Sequence, residues 1–358
     1  MSKPIVILDA HWRQMDELFS PEARAALFDE FEVVWGQDGP IPGDILSEAL
    51  PRAEILISST PRVSASTLSS APALKTIIEV SGAFPDTIDY TACFERNVEI
   101  LGCAPGFRRS VAEMGLAMAL AGARGLVSEH EAFRVGEENW LDDRTKTDFT
   151  LFGASVGFIG FGQIAQEIVR LMQPFAPAFS AYDPWLPSRI AMDFNVRLCS
   201  LEDVLAQCRC VFVTASPTSE NYHLLNAERL ALLQDHALLI VLSRAHLVDF
   251  GALEAQVSSG RITACIDVFP SEPVPAGARI RTEKQAILSP HRAAAVDKGR
   301  QLIGDMILHD LRAKTAGQDE RLLSRANAKT IMALAGIGDA EGVAALAAAR
   351  QSADPDRR

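Results

Sequence analysis

From position 154 onward the chain is paced by six short apolar runs, at 154–161, 178–183, 210–215, 237–243, 263–268 and 286–289, with helical or turn segments between them. Apolar runs of strand length that do not alternate belong to strands covered on both faces. Helices between such strands return the chain so that successive strands lie parallel. The pattern predicts an α/β fold built on a parallel sheet. In sheets of that kind ligands bind beyond the carboxyl ends of the strands, so the residues just after each run are the ones that carry chemistry.

The first run leads into Gly160-Phe161-Gly162-Gln163-Ile164-Ala165. Gly160 permits a tight turn, and Gly162 lets a pyrophosphate approach the backbone with no Cβ in the way. Ala165 is small enough for helix and strand to pack closely. The following helix, 163–173, points its first N–H groups at the phosphates. The second run ends in Asp183, whose carboxylate suits the two ribose hydroxyls and repels a 2′-phosphate. Strand, turn, helix and acid together point to NAD as the cofactor.

Three later runs each end in a polar residue. Arg244 follows Ser243 and offers two forked donors to a carboxylate. Glu272 lies between Pro270 and Pro273, and Pro290 precedes His291. A histidine beside a carboxylate is oriented through one ring nitrogen and stabilised as the imidazolium, which suits it to proton transfer. Singly, each residue has a plain structural explanation. Together, on the sheet that carries the dinucleotide turn, they form a set suited to hydride transfer.

The first hundred residues form a second α/β lobe, with strand-like runs at 4–8, 53–58 and 74–80 and helical spacing at 21–31. Residues 110–126 form a helix that is apolar nearly all round, opened by Ser110 as cap and therefore buried between layers or in a subunit interface. Residues 128–148 are polar and read as surface. A helical stretch runs from His291 to about Ala316, and an alanine-rich tail of no assigned role follows.

Acidic residues outnumber basic ones, 46 to 34, for a formal charge of −12 over 358 residues. That balance argues against a nucleic-acid footprint and against docking to anionic membranes. A local basic cluster still suits a small anionic substrate. No apolar run is long enough to span a membrane, and the start of the chain runs into a strand rather than a cleavable leader. Cys93, Cys103, Cys199, Cys208, Cys210 and Cys265 contain no CxxC pair; they read as reduced structural thiols of a cytoplasmic protein, with no metal site.

At this point the sequence resembles the D-isomer-specific 2-hydroxyacid dehydrogenase family over roughly residues 50–315. The resemblance rests on Ser243-Arg244-Ala245-His246-Leu247-Val248-Asp249 leading to Ala252-Leu253, on Asp267 to Pro273 reading DVFPSEP, and on Pro290-His291. It rests also on the segment 218–226 and on Val111-Ala112-Glu113 at the start of a long interdomain helix. It implies that Arg244 holds the carboxylate and 2-oxo oxygen of a small 2-oxo or 2-hydroxy acid. His291 is then the general acid in reduction and the base in oxidation, and Glu272 raises its pKa and fixes its orientation. Gln163 and Ile164 meet the pyrophosphate through their N–H groups, and Asp267 sits near the nicotinamide carboxamide. Ala215, Ser216 and Asn221 line the cofactor cleft, and Val111, Leu242 and Ser243 complete the cofactor set. The backbone N–H groups of Ser81, Gly82 and Ala83 bind the substrate carboxylate.

The implied architecture is two Rossmann-like or flavodoxin-like lobes. A cofactor domain, 109–296, is inserted into a discontinuous substrate domain, 1–108 plus 297–330, and the apolar helix helps form a homodimer. Several residues depart from the family pattern. Ala245 and Ser216 replace a usual glycine and proline, the loop after Gly82 lacks a second glycine, and Arg292 follows His291. An NAD-sensing binding protein or corepressor, which can keep the same Arg, Glu and His, and a phosphite-type dehydrogenase, which shares the fold and the histidine, stand as alternatives. The Glu272 motif disfavours formate oxidation.

Overall fold

The computed structural model describes residues 3–82, 84–141, 147–328 and 331. The chain divides into two compact units, one formed by the described residues up to Phe107 and from Val296 onward, the other by Arg108–Ala295.

The first unit carries β1 (Ile5–Asp9), β2 (Glu32–Trp35), β3 (Ile55–Ser58), β4 (Thr76–Glu79) and β5 (Glu99–Gly102). The second carries β6 (Ser155–Ile159), β7 (Ala178–Tyr182), β8 (Arg197–Leu198), β9 (Cys210–Val213), β10 (Leu238–Val241), β11 (Thr263–Ile266) and β12 (Ala286–Leu288). After the second unit the chain returns to the first sheet with β13 (Ser324–Arg325), which pairs antiparallel with β5. Strand order is β13-β5-β4-β3-β1-β2 in one sheet and β12-β11-β10-β9-β6-β7-β8 in the other. All other pairings are parallel.

Each of the six apolar runs contains one strand of the second sheet. The two-residue β8, and β2, β5 and β13 of the other sheet, lack a comparable apolar signal. The strands β9 and β10 are buried along their whole length, and Phe158 of β6 stacks on Phe212 of β9 with ring centroids 5.3 Å apart. That double-sided burial is why these strands read as continuous apolar runs.

The long apolar helix is Arg108–Ala123. It begins two residues before Ser110, which is buried in its first turn, so Ser110 is not the cap. Gly115 packs against Leu242 and Ile168, and Gly122 packs against Leu238 and Cys265. One face of the helix is therefore covered by the sheet of its own unit. The stretch expected to be surface opens with a second helix, Leu126–Val135, that buries no side chain. It exposes Leu126, Val127, Phe133 and Val135. After His291 the chain runs through turns, and the helix begins only at Leu302 (Leu302–Thr315). Most of the alanine-rich tail lies outside the described residues. No single helix among the described residues is long and apolar enough to cross a membrane. The six cysteines are free thiols, and all but Cys199 are buried.

Candidate active site

The second sheet reverses its strand order between β6 and β9, and the glycine turn sits at that point. Gly160 has φ +84°, and a Cβ there would lie 2.4 Å from Cα of Ala215, so only glycine fits. Thr214 donates from its hydroxyl to the Gly160 carbonyl at 2.7 Å and ties the turn to β9. Gly162 meets nothing within 4 Å where a Cβ would project. It precedes the helix Gln163–Met172, which no side chain caps. The N–H groups of Gln163 and Ile164 therefore open onto free space at a positive helix end, which is what a pyrophosphate requires. Ala165 is fully buried, as close packing of helix and strand demands.

Asp183 follows β7. Its Oδ2 accepts from the Phe161 N–H at 2.8 Å and its Oδ1 from the Trp185 N–H at 3.0 Å. The residue thus braces the glycine turn, and its carboxylate retains acceptor capacity beyond these two bonds. Across the β9 loop, Asn221 is buried. It accepts from the Thr218 N–H at 2.7 Å and donates to the Ser216 carbonyl at 2.9 Å. Its amide closes the 216–221 loop, so it shapes this wall with its own hydrogen bonds. Val111 and Leu242 are buried apolar residues, and Ser216 is exposed. The hydroxyl of Ser243 is buried without a hydrogen-bond partner, as is that of Thr218. An uncapped helix start after the glycine turn, with partnerless buried hydroxyls at Ser243 and Thr218 of the same unit, fits NAD.

The ends of β10, β11 and β12 carry the polar set. Arg244 donates from Nη1 to the Ser243 carbonyl at 2.8 Å. Glu272 Oε2 lies 2.7 Å from His291 Nδ1, and Glu272 Oε1 accepts from the Phe269 N–H at 2.9 Å. Burial works to raise the Glu272 pKa. The His291 hydrogen bond and charge, the Phe269 N–H and the Arg244 charge outweigh it and hold the carboxyl below its usual range. His291 itself has φ +51°, a region that non-glycine residues occupy only when their surroundings impose it.

Asp267 imposes it. This residue is 1% exposed; Oδ1 accepts from the Ser289 hydroxyl at 2.5 Å and the Arg292 N–H at 2.8 Å, and Oδ2 from the Ala293 N–H at 3.1 Å. Its backbone carbonyl accepts from the His291 N–H at 2.8 Å. Asp267, expected beside the nicotinamide carboxamide, also ties down the His291 loop with its carboxylate. Arg292 is held there by its backbone, with its side chain exposed.

The loop after β4 departs furthest from expectation. Glu79, fully buried at the end of that strand, accepts from the Ser81 N–H, and from the Gly82 N–H at 3.0 and 3.1 Å. The donors expected to hold a substrate carboxylate are already held by a side chain of the same loop. Arg13, buried beneath it, donates to the carbonyls of Val80 at 2.7 Å and Ser81 at 2.9 Å. Gly82 has φ +109°, and a Cβ there would meet Phe107 at 2.6 Å. Ala83 lies outside the described residues.

Sequence reasoning passed over Glu79, Arg13 and Thr214. Glu79 had a visible signal, a lone acid inside the buried run at 74–80. It also passed over Tyr222 and His246. Tyr222 stacks on His223 with centroids 3.8 Å apart and meets His246 edge-on at 5.1 Å. The signal there was His246 only two residues beyond Arg244.

The family model described as "D-isomer specific 2-hydroxyacid dehydrogenase, NAD binding domain" matches residues 116–293. The chain is 36% identical to a phosphoglycerate oxidoreductase from Rhizobium etli of known structure, over 91% of this chain and 99% of that one, with a TM-score of 0.80. It is 31% identical over 321 residues to the D-3-phosphoglycerate dehydrogenase of Mycobacterium tuberculosis, covering 89% of this chain and 58% of that protein. It is 28% identical over 304 residues to the glyoxylate reductase of Pyrococcus horikoshii, covering 82% and 89%. The chain thus spans 58% of the length of the mycobacterial dehydrogenases it matches.

Proposed function

The chain belongs to the D-isomer-specific 2-hydroxyacid dehydrogenase family, and from that premise we propose that it interconverts a small 2-oxo acid and its D-2-hydroxy acid. The cofactor is NAD, whose nicotinamide, when bound, supplies or takes the hydride at C2. The observation that carries the reading is the 2.7 Å pair of Glu272 and His291 on the sheet edge that also holds the dinucleotide turn.

Glu272 takes the Nδ1 side of the ring, so Nε2 is the nitrogen that gives a proton to the 2-oxo oxygen in reduction and takes it back in oxidation. The ionised Glu272 stabilises the imidazolium that this exchange requires. Arg244 holds the substrate carboxylate with a forked pair of donors, and its charge opposes the anion's. Asp267 fixes the His291 loop and stands beside the nicotinamide carboxamide.

The unit that contains β1–β5 is the substrate domain, and the unit that contains β6–β12 is the cofactor domain. The protein acts as a cytoplasmic homodimer; the exposed Leu126, Phe133 and Val135 support an apolar interface. Light scattering on Phe133→Glu tests that assembly, and a wild-type monomer would exclude it.

The test of the activity is NADH consumption over a panel that includes glyoxylate, hydroxypyruvate and phenylpyruvate, with NAD reduction by 3-phosphoglycerate as the reverse assay. The named relatives set the first and last of these. Turnover that disappears in His291→Ala while NADH binding persists is the expected result. NADH binding with no turnover on any acid would favour the NAD-sensing reading. Full turnover by His291→Ala would remove the histidine from the mechanism.

A further inference from the structure

Glu79 and the loop it caps go beyond the proposed reaction. A buried carboxylate already fills the two backbone donors of Ser81 and Gly82. An external carboxylate can take those donors only if Glu79 gives them up. An ionised Glu79 stripped of both donors would be a charge buried without adequate compensation, which is strongly unfavourable. Neutralised by a proton, it needs neither bond. We propose that Glu79 is a specificity-determining residue of this loop, and that the loop accepts a substrate carboxylate only together with a proton taken up by Glu79. This inference rests on the 2-hydroxyacid dehydrogenase reading.

The surroundings of Glu79 make the exchange accessible near neutrality. Burial pushes its carboxyl up from the ordinary 4.5 to about 7, against the lowering pull of the Ser81 and Gly82 donors and of Arg13. The other groups that face it are Cys103, just after β5, and Tyr90, on the helix Tyr90–Glu95. Both act as neutral neighbours, because burial raises the Cys103 thiol and the Tyr90 phenol. Among the described residues, Arg13 is the cation that pulls on Glu79. Behind it, Glu17 lies 3.8 Å from Arg13 and 3.4 Å from Arg300, so the cluster holds two cations and two acids. A proton on Glu79, matched by one incoming carboxylate, leaves that balance unchanged. The consequence is selectivity: an anionic ligand restores beside Arg13 the negative charge that the proton removes, whereas a neutral one does not.

Calorimetry of oxamate, a non-reducible analogue of a 2-oxo acid, binding to the NADH-loaded protein tests this. The measurement is made in His291→Asn, so that the histidine takes up no proton, and in two buffers of different ionisation enthalpy. About one proton taken up per oxamate is expected at pH 8, falling toward zero at pH 6, with affinity dropping roughly tenfold per pH unit above neutrality. In Glu79→Gln on the same background the uptake should vanish and the affinity should lose its pH dependence. Oxamate bound at pH 8 without buffer dependence overturns the inference in the single variant alone, whether or not the double variant folds, and leaves the dehydrogenase reading standing. If the NADH-loaded wild type neither binds oxamate nor turns over any 2-oxo acid, the reading beneath the inference falls, and the inference with it.

Discussion

Glu272 Oε2 and His291 Nδ1 lie 2.7 Å apart, which leaves Nε2 as the ring nitrogen outside the pair. The pair joins the loops after β11 and β12, and Asp267 at the end of β11 holds the histidine loop in its left-handed conformation. The orientation of His291 is thus set by contacts between strand ends rather than by its own neighbours in sequence.

Glu272→Gln keeps an acceptor at Nδ1 and removes the charge. We predict that kcat for reduction falls by roughly 10- to 100-fold and that the pH at which reduction declines moves downward, because the imidazolium loses its counter-charge. Steady-state kinetics across pH 5.5–9 measure both. An unchanged profile would reduce Glu272 to a structural residue.

The two glycines of the dinucleotide turn should separate folding from binding. Gly160→Ala places a Cβ against the Ala215 backbone at φ +84° and should cost about 2 kcal/mol or more. Gly162→Ala meets open space at φ −76°, so stability should stay within about 0.5 kcal/mol of wild type. NADH affinity of Gly162→Ala should nevertheless drop at least tenfold, since the methyl occupies the space the pyrophosphate needs. Urea unfolding and NADH fluorescence titration give the two numbers, and undiminished NADH binding would mean the phosphates lie elsewhere.

Asp183 has two tasks, and Asp183→Asn should divide them. The amide oxygen can still accept from the Phe161 N–H, so the turn survives, while the charge that repels a 2′-phosphate is gone. The NAD-to-NADP preference, read as the ratio of kcat/KM values, should shift toward NADP by about tenfold or more. A constant ratio would show that the carboxylate does not read the ribose.

Glu79 should leave a signature in stability. Its folded-state pKa is raised from 4.5 to about 7, so the folded protein holds a proton that the unfolded chain has released. Stability from this group is complete below 4.5 and is lost as pH rises from there through about 7. The loss is on the order of 3 kcal/mol. Chemical unfolding at pH 5 and pH 8 should show this difference in the wild type and a smaller one in Glu79→Gln. Equal pH dependence in both would mean that the buried carboxyl is not the group responsible.

The local pattern of the chain determined a good deal. Six apolar runs determined a parallel sheet, since strands buried on both faces have nowhere to put polar residues. Gly160 and Gly162 determined a dinucleotide turn, because backbone conformation and close approach are local demands. Arg244, Glu272 and His291 stood out because each lies within a few residues of the end of a run. Tertiary structure decided what no local pattern encodes. Ser110 is not a cap, because the helix already starts at Arg108 and Ser110 is buried within its first turn. Asp267 belongs to the His291 loop, because strands β11 and β12 are neighbours. Above all, the donors of Ser81 and Gly82 are filled by Glu79: burial removes water from that carboxylate, and the nearby N–H groups replace it.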